Sequence, residues 1–127
     1  MPTKITRYRL SGTTDASGAA TVQGTKVVRG RILAIIGNTE PLADTADITI
    51  TTTDEAATQT ILSLTNVSGD VVVYPRTAVQ DNTDTDVTYD GTNEIYEPYV
   101  VFSRLKCVVA QGGASKSFKF DILVEEF

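Results

Sequence analysis

The chain has no histidine and no tryptophan, and cysteine occurs once. Without histidine, Ser-His-Asp and Cys-His catalytic sites and histidine-ligated metal sites are excluded. Paired carboxylates could serve glycoside hydrolysis, but the acids lie mainly in loops, where nothing desolvates one of them and raises its pKa. We therefore expect no enzymatic activity, no cofactor and no small-molecule substrate.

The single cysteine, Cys107, lies in the apolar stretch LKCVVA. One cysteine forms no internal disulfide, whereas small secreted domains usually carry several. We interpret Cys107 as a buried, small hydrophobic residue rather than a reactive thiol. This interpretation predicts that the protein is made in a reducing cytoplasm.

Long hydrophobic runs are also missing. The longest is ILAII, Ile32 to Ile36, far below the roughly 20 residues that span a bilayer. The first ten residues, MPTKITRYRL, have no apolar segment of the kind found in signal peptides. The sequence predicts a soluble protein with no membrane partner.

The net charge is −5, and the charged residues are distributed unevenly along the sequence. Residues 1–31 carry six Lys or Arg and one acid, whereas residues 38–103 carry twelve acids and one base. This pattern fits two solvated faces, or a dipolar molecule that docks by one end on an oppositely charged surface. The basic residues have no aromatic cluster among them, so we expect no nucleic-acid partner.

Threonine is abundant, with twenty copies, and it favours strands because it branches at Cβ. Apolar residues alternate along Val100 to Ala110 and along Ser117 to Val124. The glycine-containing segment QGGASK separates these two runs, which predicts a C-terminal β-hairpin. The whole pattern predicts one all-β domain over residues 1–127, an antiparallel sandwich or jelly-roll-like barrel of about eight strands with little or no helix.

Local features refine this prediction. Residues 1–24 form a basic N-terminal arm or strand in this interpretation. Gly30, in the middle of the long run from Lys26 to Ile36, predicts a bulge or a close backbone approach. The segment from Thr53 to Gln59 predicts a hairpin loop with at most one helical turn. Pro75 predicts that the strand from Val71 to Arg76 leaves its sheet at the Tyr-Pro-Arg element.

Residues 77–98 form a long, acidic, turn-rich loop in this interpretation. Its carboxylates at Asp81, Asp84, Asp86 and Asp90 would suit Ca²⁺, but no glycine stands at the sixth position of an EF-hand loop counted from Asp81 or from Asp84. We interpret the segment as a solvated acidic loop without a metal. Loops of this length in compact domains are usually functional or mobile.

Three segments together carry a family resemblance: GRILAIIGNTEPLADTADITITTT, then ILSLTNVSGDVVVYPR, then LKCVVAQGG followed by a Phe-rich last strand. They resemble minor structural proteins of tailed bacteriophage virions, and more narrowly head decoration (cement) proteins. The resemblance covers about Val28 to Val124. It implies a β-rich, non-catalytic domain, usually a trimer, that binds the outside of an assembled capsid and reinforces it.

The resemblance implies the major capsid protein and further copies of this chain as partners, and the capsid exterior as the location. Under it, basic residues would meet the acidic capsid surface, at Lys4, Arg7, Arg9, Arg29 and Arg31. Tyr74, Pro75 and Arg76 would shape an edge used by a neighbouring subunit. The acidic loop would project outward or clasp that subunit. Two alternatives remain open: another virion component, such as a connector, tail or spike protein, and a carbohydrate- or Ca²⁺-binding β-sandwich module.

Overall fold

The computed structural model describes residues 3–126. These residues form eleven strands and no helix. The strands are β1 Lys4–Thr13, β2 Ala20–Gln23, β3 Val28–Asn38, β4 Ala46–Thr52, β5 Thr60–Val67, β6 Val71–Val73, β7 Thr77–Ala78, β8 Tyr96–Glu97, β9 Val100–Ser103, β10 Leu105–Ala110 and β11 Ser117–Glu126. The predicted all-β class is confirmed.

Two curled antiparallel sheets make up most of the molecule. In the first sheet β1 pairs with β11, β11 pairs with β3, and the far edge of β3 is shared by β9 and β6. The second sheet has the order β2-β10-β4-β5. The strands β7 and β8 form a separate two-stranded ladder. The two large sheets curl into a sandwich-like half-barrel, as the sequence predicts.

The hydrophobic core lies between the two large sheets. Alternate residues of β11 and β10 point into it, with exposed or half-buried residues between them. From β11 these are Phe118, Phe120, Ile122 and Val124, and from β10 they are Leu105, Cys107 and Val109. Cys107 is fully buried, as predicted, and burial raises its pKa to about 12.

The predicted C-terminal hairpin is wrong. β10 pairs with β2 and β4, whereas β11 pairs with β1 and β3, so the two strands lie in different sheets. Their apolar sides face each other across the core instead of sharing one side of a single sheet. The connecting segment crosses between the layers through positive φ angles at Gln111, Gly113 and Ser115. An alternating pattern identifies the buried side of a strand but not its pairing partner.

Gly30 makes the close backbone approach that its position predicts. Its φ is +133°, and an added Cβ would overlap the carbonyl oxygen of Glu125 on the neighbouring β11. The bulge lies three residues further on, where Leu33 has no partner on β11 and the register shifts between Leu123 and Val124. Both features bend β3 in its middle.

The segment from Thr53 to Gln59 forms the loop of the β4–β5 hairpin and contains no helix. The Thr52 hydroxyl accepts a hydrogen bond from the Gln59 backbone N–H at 2.9 Å. The Glu55 carboxylate accepts one from the Phe102 backbone N–H at 3.0 Å and one from the Gln59 side chain. Glu55 therefore fastens this loop to β9.

Candidate interaction surfaces

Within residues 3–126 the side chains form no metal-binding cluster. No three acidic or cysteine side chains among them are placed to hold a metal ion. Every buried side-chain polar atom in that range has a hydrogen-bond partner. The same residues include no helix that is long and apolar enough to cross a membrane. The candidate functional features of these residues are surfaces that could bind another protein.

The first sheet carries exposed apolar side chains on its outer face, the face turned away from the core. Cross-strand partners share a face, so Phe102 lies beside Arg29 and Val100 beside Arg31. Phe102 is 66% exposed and Val100 62%. We call these four residues the outer patch. Further exposed apolar residues on this sheet are Ile5, Ile36 and Val72, and Tyr74 is exposed just after β6.

Two shallow hollows adjoin Phe102 in the outer patch. One is lined by Tyr8, Val27, Arg29, Phe102 and Glu126, and the other by Arg29, Gly30, Val100, Val101 and Phe102. An aromatic ring and two guanidinium groups thus stand on a surface with small depressions between them. Such a surface can receive the side chains of another protein.

The predicted basic residues of β1 divide between the two faces of that strand. Arg7 and Arg9 lie on the outer face, where Arg9 makes two hydrogen bonds to Asp121, at 2.7 and 3.0 Å. These bonds are the main reason that the pKa of Asp121 is lowered. Lys4 lies on the opposite side, 3.7 Å from the Glu126 carboxylate. Arg31 pairs with Glu125 at 3.6 Å. The structure brings Arg29 and Arg31 together and separates Lys4 from Arg7 and Arg9.

Glu126 also binds two hydroxyl groups of β1, which sequence reasoning missed. The Tyr8 hydroxyl donates to one carboxylate oxygen and the Thr6 hydroxyl donates to the other at 2.9 Å. Burial, followed by the bond to Glu126, raises the pKa of Tyr8 to about 12. The same bonds lower the pKa of Glu126. Tyr8 and Glu126 are 118 positions apart, so no local pattern could reveal this contact.

The Tyr-Pro-Arg element lies where the chain leaves the first sheet. β6 ends at Val73, so the predicted strand is shorter than expected, but the predicted exit at Pro75 is confirmed. Tyr74 is exposed and Pro75 is buried. The Arg76 guanidinium donates to the Leu33 carbonyl at 3.2 Å and to the Pro75 carbonyl at 2.7 Å. Arg76 therefore fixes this exit to the bulge in β3.

The residues between β6 and β9 form a small hydrogen-bonded unit, which we call the lobe (residues 77–97). β7 and β8 pair at its base. Three backbone hydrogen bonds then close a ring: Val79 N–H to the Ile95 carbonyl, Val87 N–H to the Val79 carbonyl, and Ile95 N–H to the Val87 carbonyl, at 2.8, 2.8 and 3.2 Å. The three residues stand at eight-residue intervals. That spacing was the sequence feature that could have indicated the ring.

Two lobe carboxylates accept hydrogen bonds from nearby backbone N–H groups. Asp81 accepts from the N–H groups of Thr83 and Thr85, and Asp90 accepts from those of Thr92 and Asn93. The Thr83 hydroxyl also donates to Asp81, at 2.6 Å. This bond, followed by the backbone bonds, lowers the pKa of Asp81, and the bonds from the Asn93 and Thr92 backbone lower the pKa of Asp90. All side chains from 77 to 97 are exposed or half-buried. The acidic segment is thus solvated, as expected, and it has a regular hydrogen-bonded backbone.

A groove follows the free edge of β1, between this strand and the β2–β3 connection. We call it the edge groove; its volume is about 370 Å³. Apolar side chains of Leu10, Val28, Leu105 and Ile122 contribute to its lining. So do three cationic residues, Arg7, Arg9 and Lys26, and no acidic residue. The groove therefore combines apolar surface with positive charge.

Comparisons of the chain with protein-family models, with curated proteins and with solved structures find no match.

Proposed function

We propose that this protein is a non-catalytic structural component of a bacteriophage virion that binds the outside of the capsid and reinforces it. The outer patch carries this proposal. Its exposed Phe102 and Val100 lie on β9 beside their cross-strand partners Arg29 and Arg31 on β3. Aromatic and arginine side chains are enriched in protein interfaces, where a few residues supply most of the binding energy. A cluster of them on a folded surface supports a protein-binding role.

The partner in this proposal is the major capsid protein. Arginines beside an aromatic ring suit a capsid surface that offers carboxylates around an apolar depression, because guanidinium groups bind carboxylates in two-pronged geometry. Antiparallel pairing on both sides of β3 holds the patch, so little ordering is needed on binding. The resemblance to head decoration proteins supports this choice of partner and a location on the capsid exterior.

The protein assembles with further copies of itself in this proposal, as a homotrimer. Tyr74 is exposed beside the root of the lobe, and the lobe projects from the sheet edge that β6 and β9 share. A connector, tail or spike protein would form rings of other symmetry. The mass of the complex in solution distinguishes these alternatives.

The test is a binding assay on shells assembled from the major capsid protein of the phage that carries this gene. Replacing Phe102 and Arg29 with alanine should lower the affinity for shells by about 30-fold or more, the effect of losing roughly 2 kcal/mol at an interface hot spot. Both side chains are exposed, so the fold should persist, which circular dichroism checks.

The matched control changes the outer face of the second sheet, with Thr49 and Lys106 replaced by alanine. These residues lie opposite the outer patch across the molecule, on β4 and β10. We expect their replacement to leave shell binding unchanged. Equal occupancy for the wild type and the Phe102/Arg29 variant would rule out the outer patch as the capsid-binding surface.

A further inference from the structure

We infer that copies of this chain associate head to tail, with the lobe of one copy seated in the edge groove of the next. This inference rests on the proposed function, in which the protein assembles with itself. It specifies which surfaces meet. The occupant of the groove is a second copy of the chain, because the two surfaces have complementary charge and apolar contacts and lie at opposite edges of the first sheet.

The edge groove has a composition suited to binding an acidic segment that carries exposed aromatic rings. Apolar lining from Leu10 and Leu105 lies next to three cationic residues, Arg7, Arg9 and Lys26. Asp121 pairs with Arg9 and acts electrostatically on Arg7. Lys26 has no ion-pair partner within residues 3–126. Net positive charge therefore remains around an apolar groove.

The lobe has the opposite composition. It carries six acidic residues and no basic residue, and the acids are Asp81, Asp84, Asp86, Asp90, Glu94 and Glu97. Two aromatic side chains stand out from it, Tyr89 at 70% and Tyr96 at 61% exposure. Tyr96 lies between Glu94 and Glu97 in the sequence. An exposed ring flanked by carboxylates complements an apolar groove flanked by cations.

The two surfaces lie at opposite edges of the first sheet. The edge groove follows β1, and the lobe leaves the sheet between β6 and β9, beyond β11 and β3. No hydrogen bond or ion pair found within residues 3–126 joins the lobe to Arg7, Arg9 or Lys26. A contact between lobe and groove therefore links different copies. Such an interface is heterologous, and it closes a ring when the rotation between copies permits.

The lobe is already shaped before it binds. Its ring of three backbone hydrogen bonds and its two aspartate turns fix the backbone that carries Tyr89 and Tyr96. A preformed element loses little conformational entropy on association. This explains why an element without a buried side chain has a regular hydrogen-bonding pattern.

The test reverses charge on each surface separately and then on both. One variant carries Arg7→Glu and Lys26→Glu, and a second carries Glu94→Lys and Glu97→Lys. A third carries all four changes on one chain. Self-association is measured by light scattering on a sizing column over a range of concentrations. Lys116→Glu, a charge reversal on the exposed β10–β11 connection, is the control.

The wild type and the control should reach a mass three times that of the 13.6 kDa chain. Each two-residue variant should self-associate about a hundredfold more weakly, because like charges then face each other. The four-residue variant should recover, since each copy then offers a positive lobe to a negative groove. If the two-residue variants were weak because their fold was damaged, two further charge reversals would not restore self-association.

Three results would overturn the inference: a wild type that stays monomeric at every concentration, two-residue variants that associate as well as the wild type, or a four-residue variant that fails to recover. The shell-binding assay is run on the same samples. A monomeric wild type that still binds shells would remove the lobe-to-groove contact and leave the capsid proposal standing. An oligomer that binds no shells would remove the capsid proposal and leave the lobe-to-groove contact standing.

Discussion

The body of the molecule (β1–β6 and β9–β11) and the lobe are both β structures, yet different forces hold them. The body buries Phe120, Ile122 and their neighbours completely between two sheets. The lobe has no fully buried residue, and hydrogen bonds between its own backbone groups and aspartates define its shape. Hydrophobic burial dominates the stability of a domain, whereas an exposed hydrogen bond adds little net free energy. The body should therefore carry the stability and the lobe should open locally.

The strongest test of this comparison truncates one aromatic ring in each region. Phe120→Ala should lower the free energy of unfolding by about 3–5 kcal/mol, because it leaves a cavity in a closely packed core. Tyr89→Ala, on the exposed side chain of the lobe, should change it by less than about 0.5 kcal/mol. Urea denaturation measures both changes in the free energy of unfolding, at protein concentrations where the two variants have the same oligomeric mass. Comparable losses from the two changes would mean that the lobe belongs to the cooperative core.

A backbone test gives the next largest effect. Gly30→Ala should cost on the order of 3 kcal/mol, since the new Cβ meets the Glu125 carbonyl and φ is strongly positive. Gly91 in the lobe also has a positive φ, +84°, but open space around it. Gly91→Ala should therefore cost only the energy of placing a residue with a Cβ at positive φ, about 1 kcal/mol. We expect this cost to favour local opening of the lobe. Hydrogen exchange at Val87 should then speed up while the denaturation midpoint of the body stays unchanged.

Acid provides the smallest and most selective test. Hydrogen bonds from the Arg104 side chain, and then from its backbone, lower the pKa of Asp54 from 3.8 to about 2. A carboxyl with a lowered pKa in the folded state stabilises it above pH 4, and this contribution is lost as pH falls towards 2. Asp54→Asn should therefore be less stable than the wild type at pH 7, with the two unfolding curves converging near pH 2. A difference that persisted at pH 2 would contradict this assignment.

The lobe supplies the matched control for the acid experiment. Hydrogen bonds from Asn93 and Thr92 lower the pKa of Asp90 as well, but these bonds stay inside the lobe. Asp90→Asn should therefore leave the unfolding of the body unchanged across the same pH range. An effect equal to that of Asp54→Asn would show that the two regions unfold as one unit.

Local pattern was sufficient to predict much of the body. Alternation in β10 and β11 identified the strands and their buried residues, including Cys107. The need for glycine at position 30 followed from its place inside an apolar strand. The exit of the chain at Pro75 followed from the missing N–H of proline.

Pairing partners could not be predicted in the same way. β10 and β11 adjoin in sequence but lie in different sheets, because alternation is the same whether a strand pairs with its neighbour or faces it across a core. The bond from Tyr8 to Glu126 joins residues at opposite ends of the described chain. In the lobe, the acidic and turn-rich composition indicated a loop, although Val79, Val87 and Ile95 carried a regular interval.

The pairing of β1 with β11 has a consequence for the rate of folding. All ten residues of β1, from Lys4 to Thr13, pair with residues of β11, from Ser117 to Glu126. A growing chain exposes the basic β1 strand long before the ribosome supplies its partner, so the first sheet closes only after residue 126 has been synthesised. Pairings of this sequence separation fold slowly, in milliseconds to seconds. The edge groove, which contains residues of β1, β11 and β10, forms only at that last step. Under the proposed lobe-to-groove contact, copies of the chain would therefore associate only after each has finished folding.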